Sequence, residues 1–142
     1  MTTDPELRAL LEATRTIAVL GAKVGPDEDA WQVPRYLQGV GFEVRAVNPK
    51  LDTWEGAPAW PSLAALPAPV DLIDVFRAVP HLPAHVDEIL ALPWRPRGVW
   101  LQLGIRDDAS AARLEAAGIG VVQDRCVLVE HRRLFGAGAA HP

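Results

Sequence analysis

Cysteine is almost missing from this chain: 142 residues include one, Cys126. A single thiol excludes an internal disulfide framework and a cysteine-based zinc site. Long apolar runs are missing as well, and none approaches the roughly 20 residues that span a bilayer. The N-terminal segment MTTDPELRALLEATR lacks the basic start and apolar stretch of a secretory signal. Nor is there an excess of positive charge. A net charge of −4 gives no general reason to bind nucleic acid or an anionic membrane. These absences predict a cytoplasmic protein without nucleic-acid or membrane partners. Lysine and asparagine are scarce too, at two and one against twelve arginines, a skew that fits a GC-rich genome.

What remains is ordinary globular composition, 49% apolar and 23% charged, in a length that can bury a self-sufficient core. Length alone predicts a single domain over 1–142, with a core at 15–130. Residues 1–14 read as a helix, with Asp4 as N-cap and Pro5 at the first helical position. The end, 135–142, reads as a frayed tail.

The most informative stretch is TIAVLGAKVG, from Thr16 to Gly25. A strand buried on both faces needs consecutive apolar residues, here Ile17, Ala18, Val19 and Leu20. Gly21 then allows close backbone approach, and a following helix offers N–H groups and a positive dipole end to an anion. The glycines are spaced G-x-x-x-G and not G-x-G-x-x-G. The second strand ends in Val47-Asn48-Pro49, with no acid to hold a ribose hydroxyl. The turn therefore suggests a nucleotide-like ligand and argues against NAD.

Further strands read at Phe42 to Val47, Val70 to Phe76, Val99 to Leu103 and Ile119 to Gln123. Helices read at about Ala30 to Val40, from Pro80 and Pro83 through Leu90, at Ala109 to Ala117, and at Val127 to Leu134. A proline-rich loop spans Pro49 to Pro61, and Ser62 can cap a short turn at Leu63 to Leu66. Alternating strands and helices predict an α/β, Rossmann-like, doubly wound domain, with a five-stranded parallel sheet and helices on both faces. Ligands in such sheets sit beyond the carboxyl ends of the strands, where strand order reverses.

Several residues fall at those ends, each with a plainer reading beside the functional one. Gly21, Ala22, Lys23 and Val24 can cradle a phosphate, or form a tight turn with a solvated lysine. Asn48, Pro49 and Lys50 can meet an adenosine and an extra phosphate, or make an Asn-Pro turn. Arg77 can grip a diphosphate, or bridge to Asp71 or Asp74. Phe76 and Val79 can wall an adenine ring or belong to the core. Gln102 reads as ligand-facing. Cys126 reads as a small buried residue before a nucleophile. His81 and His85, four apart, have a zinc-compatible spacing but no third ligand and no catalytic glutamate. Asp27, Glu28 and Asp29 can cap the second helix, and would repel a polyanion if turned inward.

Five segments in order carry a family resemblance: IAVLGA, RYLQGVGFEVRAVNPK at Arg35 to Lys50, PVDLIDVFR at Pro69 to Arg77, VWLQLGI at Val99 to Ile105, and VVQDRC at Val121 to Cys126. From about Thr16 to Glu130 the chain resembles the small bacterial CoA-binding proteins. These are single Rossmann-like domains related to the CoA-binding domain of the succinyl-CoA synthetase alpha subunit. The resemblance implies coenzyme A or an acyl-CoA as ligand, lying across the strand ends. By position, Gly21 to Val24 would line the pyrophosphate, Asn48 to Lys50 the adenosine and its 3′-phosphate, and Phe76, Arg77 and Val79 the adenine and pantetheine. Where the family usually has a serine after the glycine turn, and a basic-serine pair before the first helix, this chain has Lys23 and the acidic stretch from Pro26. The resemblance implies a binding module without chemistry of its own, with a protein partner or a second copy as possible company. The alternatives are a small enzyme or redox protein using Cys126 or Asp124 beside the CoA thiol, and an interaction domain that has lost its ligand.

Overall fold

The computed structural model describes residues 3–137 and 140–141. Five strands form one parallel sheet in the order β2-β1-β5-β6-β7: β1 (Thr16–Leu20), β2 (Glu43–Val47), β5 (Leu72–Val75), β6 (Gly98–Leu101) and β7 (Gly120–Val122). Five helices accompany it: α1 (Asp4–Glu12), α2 (Asp29–Gly39), α3 (Leu82–Ala91), α4 (Asp108–Ala116) and α5 (Val127–Phe135). The α/β, Rossmann-like architecture expected from the alternating pattern is thus present. The chain runs outward from β1 to β2, then crosses back to β5 on the other flank of β1. Strand order therefore reverses between β1 and β5, and a crevice opens beyond their carboxyl ends.

Side-chain alternation divides the core between two faces. Ile73, Val75, Val99 and Leu101 point towards α3 and α4, where they meet Val86, Ile89 and Leu114. Leu72, Trp100 and Val122 point the other way, towards α1, α2 and α5, together with Leu7, Leu11, Leu37 and Val127. Asp74 lies between Ile73 and Val75 on β5 and so faces this second side. It is fully buried, and neither carboxylate oxygen has a hydrogen-bond partner. Burial without compensation pushes its carboxyl well above the usual range.

Local details depart from the sequence pattern for identifiable reasons. Thr3, not Asp4, caps α1 through a capping box: Glu6 N–H donates to Thr3 Oγ1 at 3.3 Å, and the Glu6 carboxylate accepts from Thr3 N–H. Pro5 is consequently the second helical residue. Glu28 occupies the cap position of α2, but its side chain makes no capping hydrogen bond, so the expected capping by the acidic stretch is not made. Ser62 likewise makes no side-chain cap before the short 3-10 turn Leu63–Ala65.

The proline-rich loop contains a small antiparallel hairpin, β3 (Thr53–Trp54) with β4 (Ala57–Pro58). Its two turn residues, Glu55 and Gly56, have φ of 50° and 78°. Two positive values in succession fit a primed turn, which matches strand twist. Asp4 and Arg133 form a two-bond ion pair, both contacts at 2.8 Å, that joins the start of α1 to α5. Where composition suggests a frayed tail, Phe135 closes α5 and His141 packs back: its N–H donates to Val40 O at 2.7 Å, and its ring stacks on Phe42. Met1, Thr2, 138, 139 and 142 lie outside the described residues.

Candidate functional site

The crevice begins at the loop after β1. Gly21 has φ +91°, and a Cβ there would lie 2.4 Å from the carbonyl oxygen of Phe76. Only glycine fits such a close backbone approach. The constraint comes from the neighbouring chain at the end of β5, not from a ligand.

Four hydrogen bonds then fix the loop. Gly21 N–H donates to Val47 O at 2.9 Å, and Lys23 N–H donates to Ala30 O at 3.1 Å. The second follows from a proline inside α2: Pro34 has no N–H, so the carbonyl four residues earlier, on Ala30, is left for another donor. Asn48 Nδ2 donates to Ala22 O at 2.8 Å, and Trp54 Nε1 donates to Lys23 O at 2.9 Å. The N–H groups of Val24 and Gly25 make no hydrogen bond among the described residues.

Two clefts flank this loop. The larger, of about 570 Å³, lies between the start of α2, the start of α5 and the ends of β5 and β6. Lys23, Phe76, Arg77, Gln102 and Cys126 all contribute to its wall. A smaller cleft of about 130 Å³ lies towards α3, lined by Gly21, Asn48, Pro49, Arg77, His85 and Glu88 among others. Arg77 is common to both. Its Nε–H donates to His85 Nε2 at 3.2 Å, so the imidazole proton sits on Nδ1, 3.4 Å from Glu88 Oε1. Burial lowers the pKa of His85, against the opposing pull of Glu88.

The predicted site residues therefore divide. Lys23, Phe76, Arg77 and Gln102 converge on the larger cleft, while Gly21, Asn48 and Pro49 line the smaller one. Ala22 is buried beneath the loop, and Val24 stands exposed beside it. Lys50 and Val79 line neither cleft. Asn48 spends both ends of its amide internally, since Oδ1 accepts from Lys50 N–H at 2.9 Å. Its place is that of a brace. Arg77 does not bridge to Asp71 or Asp74; Asp71 instead lies 3.9 Å from Arg97, and Asp74 has no partner.

Gln102 is buried, and its Oε1 accepts from Val127 N–H at 3.1 Å, which satisfies a donor at the start of α5. Its Nε2 has no hydrogen bond among the described residues and remains a donor in the cleft wall. Cys126 also lines this cleft, but Asp124 does not: its Oδ1 accepts from Gly104 N–H at 2.6 Å. Asp124 has φ 55°, a left-handed turn that this bond holds.

Asp27, Glu28 and Asp29 do line the larger cleft, and Glu28 Oε2 is 3.5 Å from Lys23 Nζ. His81 is exposed in a 3-10 turn before α3, so it does not share a helix face with His85. No group of three or more His, Cys, Asp or Glu that could hold a metal occurs among the described residues. No helix there is long and apolar enough to cross a membrane.

Sequence reasoning missed the role of His85 as Arg77's partner, because nothing in the spacing of Arg77 and α3 sets them side by side. Trp54 was hidden within a loop that reads as irregular. Val129, in the wall of the larger cleft, falls outside the buried stripe of α5 formed by Val127, Glu130 and His131. That offset was visible in the sequence as an apolar residue on the wrong helical face.

The family model described as "CoA binding domain" matches residues 15–132. The Bacillus subtilis (strain 168) protein YneT is 31% identical over 126 residues, covering 89% of this chain and 92% of that protein. A solved Thermus thermophilus structure is 50% identical with a TM-score of 0.88, covering 94% of this chain and all of the other. A hypothetical protein from Pyrococcus horikoshii OT3 is 30% identical, also at 0.88, over 95% and 94% of the two chains. The dinucleotide-forming acetyl-coenzyme A synthetase 1 of Ca. Korarchaeum cryptofilum shares the fold at 19% identity and a TM-score of 0.65, over 75% of this chain and 25% of the synthetase. The chain belongs to the CoA-binding domain family.

Proposed function

We propose that this member of the CoA-binding domain family holds coenzyme A, or an acyl-CoA, across the carboxyl ends of its strands and performs no chemistry of its own. One observation carries the reading: a cleft of about 570 Å³ at the point of strand reversal, with Lys23 and Arg77 both in its wall. Two cations and the unspent N–H groups of Val24 and Gly25 suit a diphosphate, which a guanidinium can grip with two bonds at once. In this reading Gly21, Ala22, Lys23 and Val24 border the pyrophosphate. Lys50 serves the 3′-phosphate while Asn48 and Pro49 shape the adenosine side. Phe76, Arg77 and Val79 lie along the adenine and pantetheine, and Gln102 Nε2 donates to a pantetheine carbonyl.

The acidic rim works against the ligand. Glu28 holds Lys23 at 3.5 Å, so an entering phosphate must displace that contact. Glu28→Gln is therefore expected to tighten binding. Lys23→Glu is expected to weaken it by about 1–3 kcal/mol, the range for a hydrogen bond to a charged group.

Titration calorimetry with CoA, 3′-dephospho-CoA, ATP and NAD tests the reading. Micromolar CoA binding is expected, weaker for dephospho-CoA and absent for NAD. No heat with any of the four would sink it and leave an interaction domain on a nucleotide-binding scaffold.

Cys126 supports a second reading, because it lines the same cleft as Arg77 and Gln102. Its thiolate would attack a CoA disulfide, form a mixed disulfide and release one CoA thiol. Intact mass after treatment with oxidised CoA is the check, and an unchanged mass ends that idea.

A further inference from the structure

The exposed large apolar side chains of the described surface are Val24, Val79, Leu103 and Val129, and they are not scattered. Leu103 and Val129 line the larger cleft, Val24 follows its wall residue Lys23, and Val79 follows its wall residue Ala78. Scattered single apolar residues on a surface need no explanation; a set gathered around one opening does. Leu103 is 71% exposed and Val129 54%, so neither is held in place by core packing.

The cleft also has a gradient along its length. Lys23, with Asp27, Glu28 and Asp29 at the start of α2, forms a charged end beside Arg77, whereas Leu103, Ile105, Cys126 and Val129 form an uncharged one. Gln102 lies beside that uncharged end, with Nε2 as an unspent donor. A ligand whose phosphates meet Arg77 and displace Glu28 from Lys23 has an amide or thioester carbonyl near Gln102 and a hydrocarbon group beyond it.

We infer that the occupant is an acyl-CoA with an apolar acyl chain, and that Leu103 and Val129 form the acyl contact. The inference rests on the proposed binding of CoA and adds the class of acyl group. Each methylene fully removed from water strengthens binding about fourfold. A medium chain lying along an open rim realises part of that. Octanoyl-CoA is expected to bind at least tenfold tighter than free CoA, with acetyl-CoA between them.

The test is calorimetry with CoA, acetyl-CoA and octanoyl-CoA on the natural chain and on Leu103→Ser and Val129→Ser. The readout is the ratio of octanoyl-CoA to CoA affinity within each protein. It should be at least ten in the natural chain and fall towards one in the variants. Circular dichroism checks that both variants fold, which their exposed positions favour. Equal affinity for CoA and octanoyl-CoA in the natural chain would overturn the acyl inference while leaving CoA binding intact. No binding of any of the three overturns both. The inference also fails if ultracentrifugation finds a dimer that Leu103→Ser dissolves and the acyl ratio stays at one. That result would assign the rim to a second copy of the chain.

Discussion

On the α3 and α4 side of the sheet every buried apolar side chain is aliphatic or alanine, from Ile73 and Val75 to Ile89 and Leu114, and Ser110 of α4 is buried with them. The α1, α2 and α5 side buries Phe42, Trp54 and Trp100, and with them the unpartnered carboxyl of Asp74 and the imidazole of His131. His131 is held by Tyr36 Oη at 2.7 Å from its Nδ1. Its pKa is lowered to about 4, first by burial and then by the neighbouring His141. The larger cleft opens on this second side. One face is built of aliphatic packing and buries no ionisable group among the described residues. The other carries buried ionisable groups, at a cost: Asp74 within β5, and His131 against Phe42, just before the amino end of β2.

Substitutions can break this contrast. Gly21→Ala has the largest expected effect, because it drives a Cβ onto the Phe76 carbonyl at the junction of both faces. A loss of about 4 kcal/mol in denaturant unfolding is expected, combining left-handed strain with a backbone clash. Ile89→Ala, on the aliphatic face, should cost about 3 kcal/mol through an unfilled cavity. CoA affinity of the folded fraction should stay within twofold. A large change in that affinity would mean that the scaffold face feeds into the site.

The dependence of stability on pH sharpens the contrast further. Asp74 has a folded pKa above its unfolded value of 3.8, so the folded state keeps a proton that the unfolded chain has lost. Its contribution is full below about pH 4 and declines as pH rises towards the folded pKa, by up to about 1.4 kcal/mol per unit. His131 acts with the opposite sign. Its folded pKa lies below 6.5, so stability is lost as pH falls from 6.5 towards 4. From pH 4 up to the folded pKa of Asp74 or pH 6.5, whichever is lower, the two slopes oppose each other in the natural chain. Asp74→Asn should expose a clear rise in stability with pH across that window, measured by unfolding at four or five pH values. An unchanged profile would mean that Asp74 is already ionised when folded. The smallest effect is expected from Asn48→Ala. Loss of its bonds to Ala22 and Lys50 should cost about 1 kcal/mol and loosen the loop on the smaller-cleft side only.

The strands and helices were legible because each has one dominant pattern. Consecutive apolar residues mark β1 and β5, and a glycine or proline sits near most boundaries. The strands end one or two residues earlier than their apolar runs, at Val75, Leu101 and Val122. Phe76 and Gln102 lie just past those ends, where the ladder stops and the cleft begins. Lys23, Arg77 and Gln102 were legible as site residues because parallel topology fixes where strand ends go. Their partners were not. That Arg77 turns to His85, and that Asn48 braces the loop, depends on rotamers and on the packing of α3, which leave no periodic trace. Pro34 was present in the sequence throughout. Its effect, a carbonyl on Ala30 offered to Lys23, needs both the helix and the loop in space.

The Asp4–Arg133 pair has a consequence for the order of the chain itself. By tying the start of α1 to α5, it holds the first and last helices of the described fold together, within reach of a linker. Nearby termini can be joined and the backbone reopened elsewhere with little loss. The exposed turn at Glu55 and Gly56 is a suitable place to cut, since exposed loop tips tolerate breaks. A circular permutant starting at Gly56 should therefore fold. It would also place both new ends on the hairpin, well suited to carrying a fluorescent reporter of ligand entry.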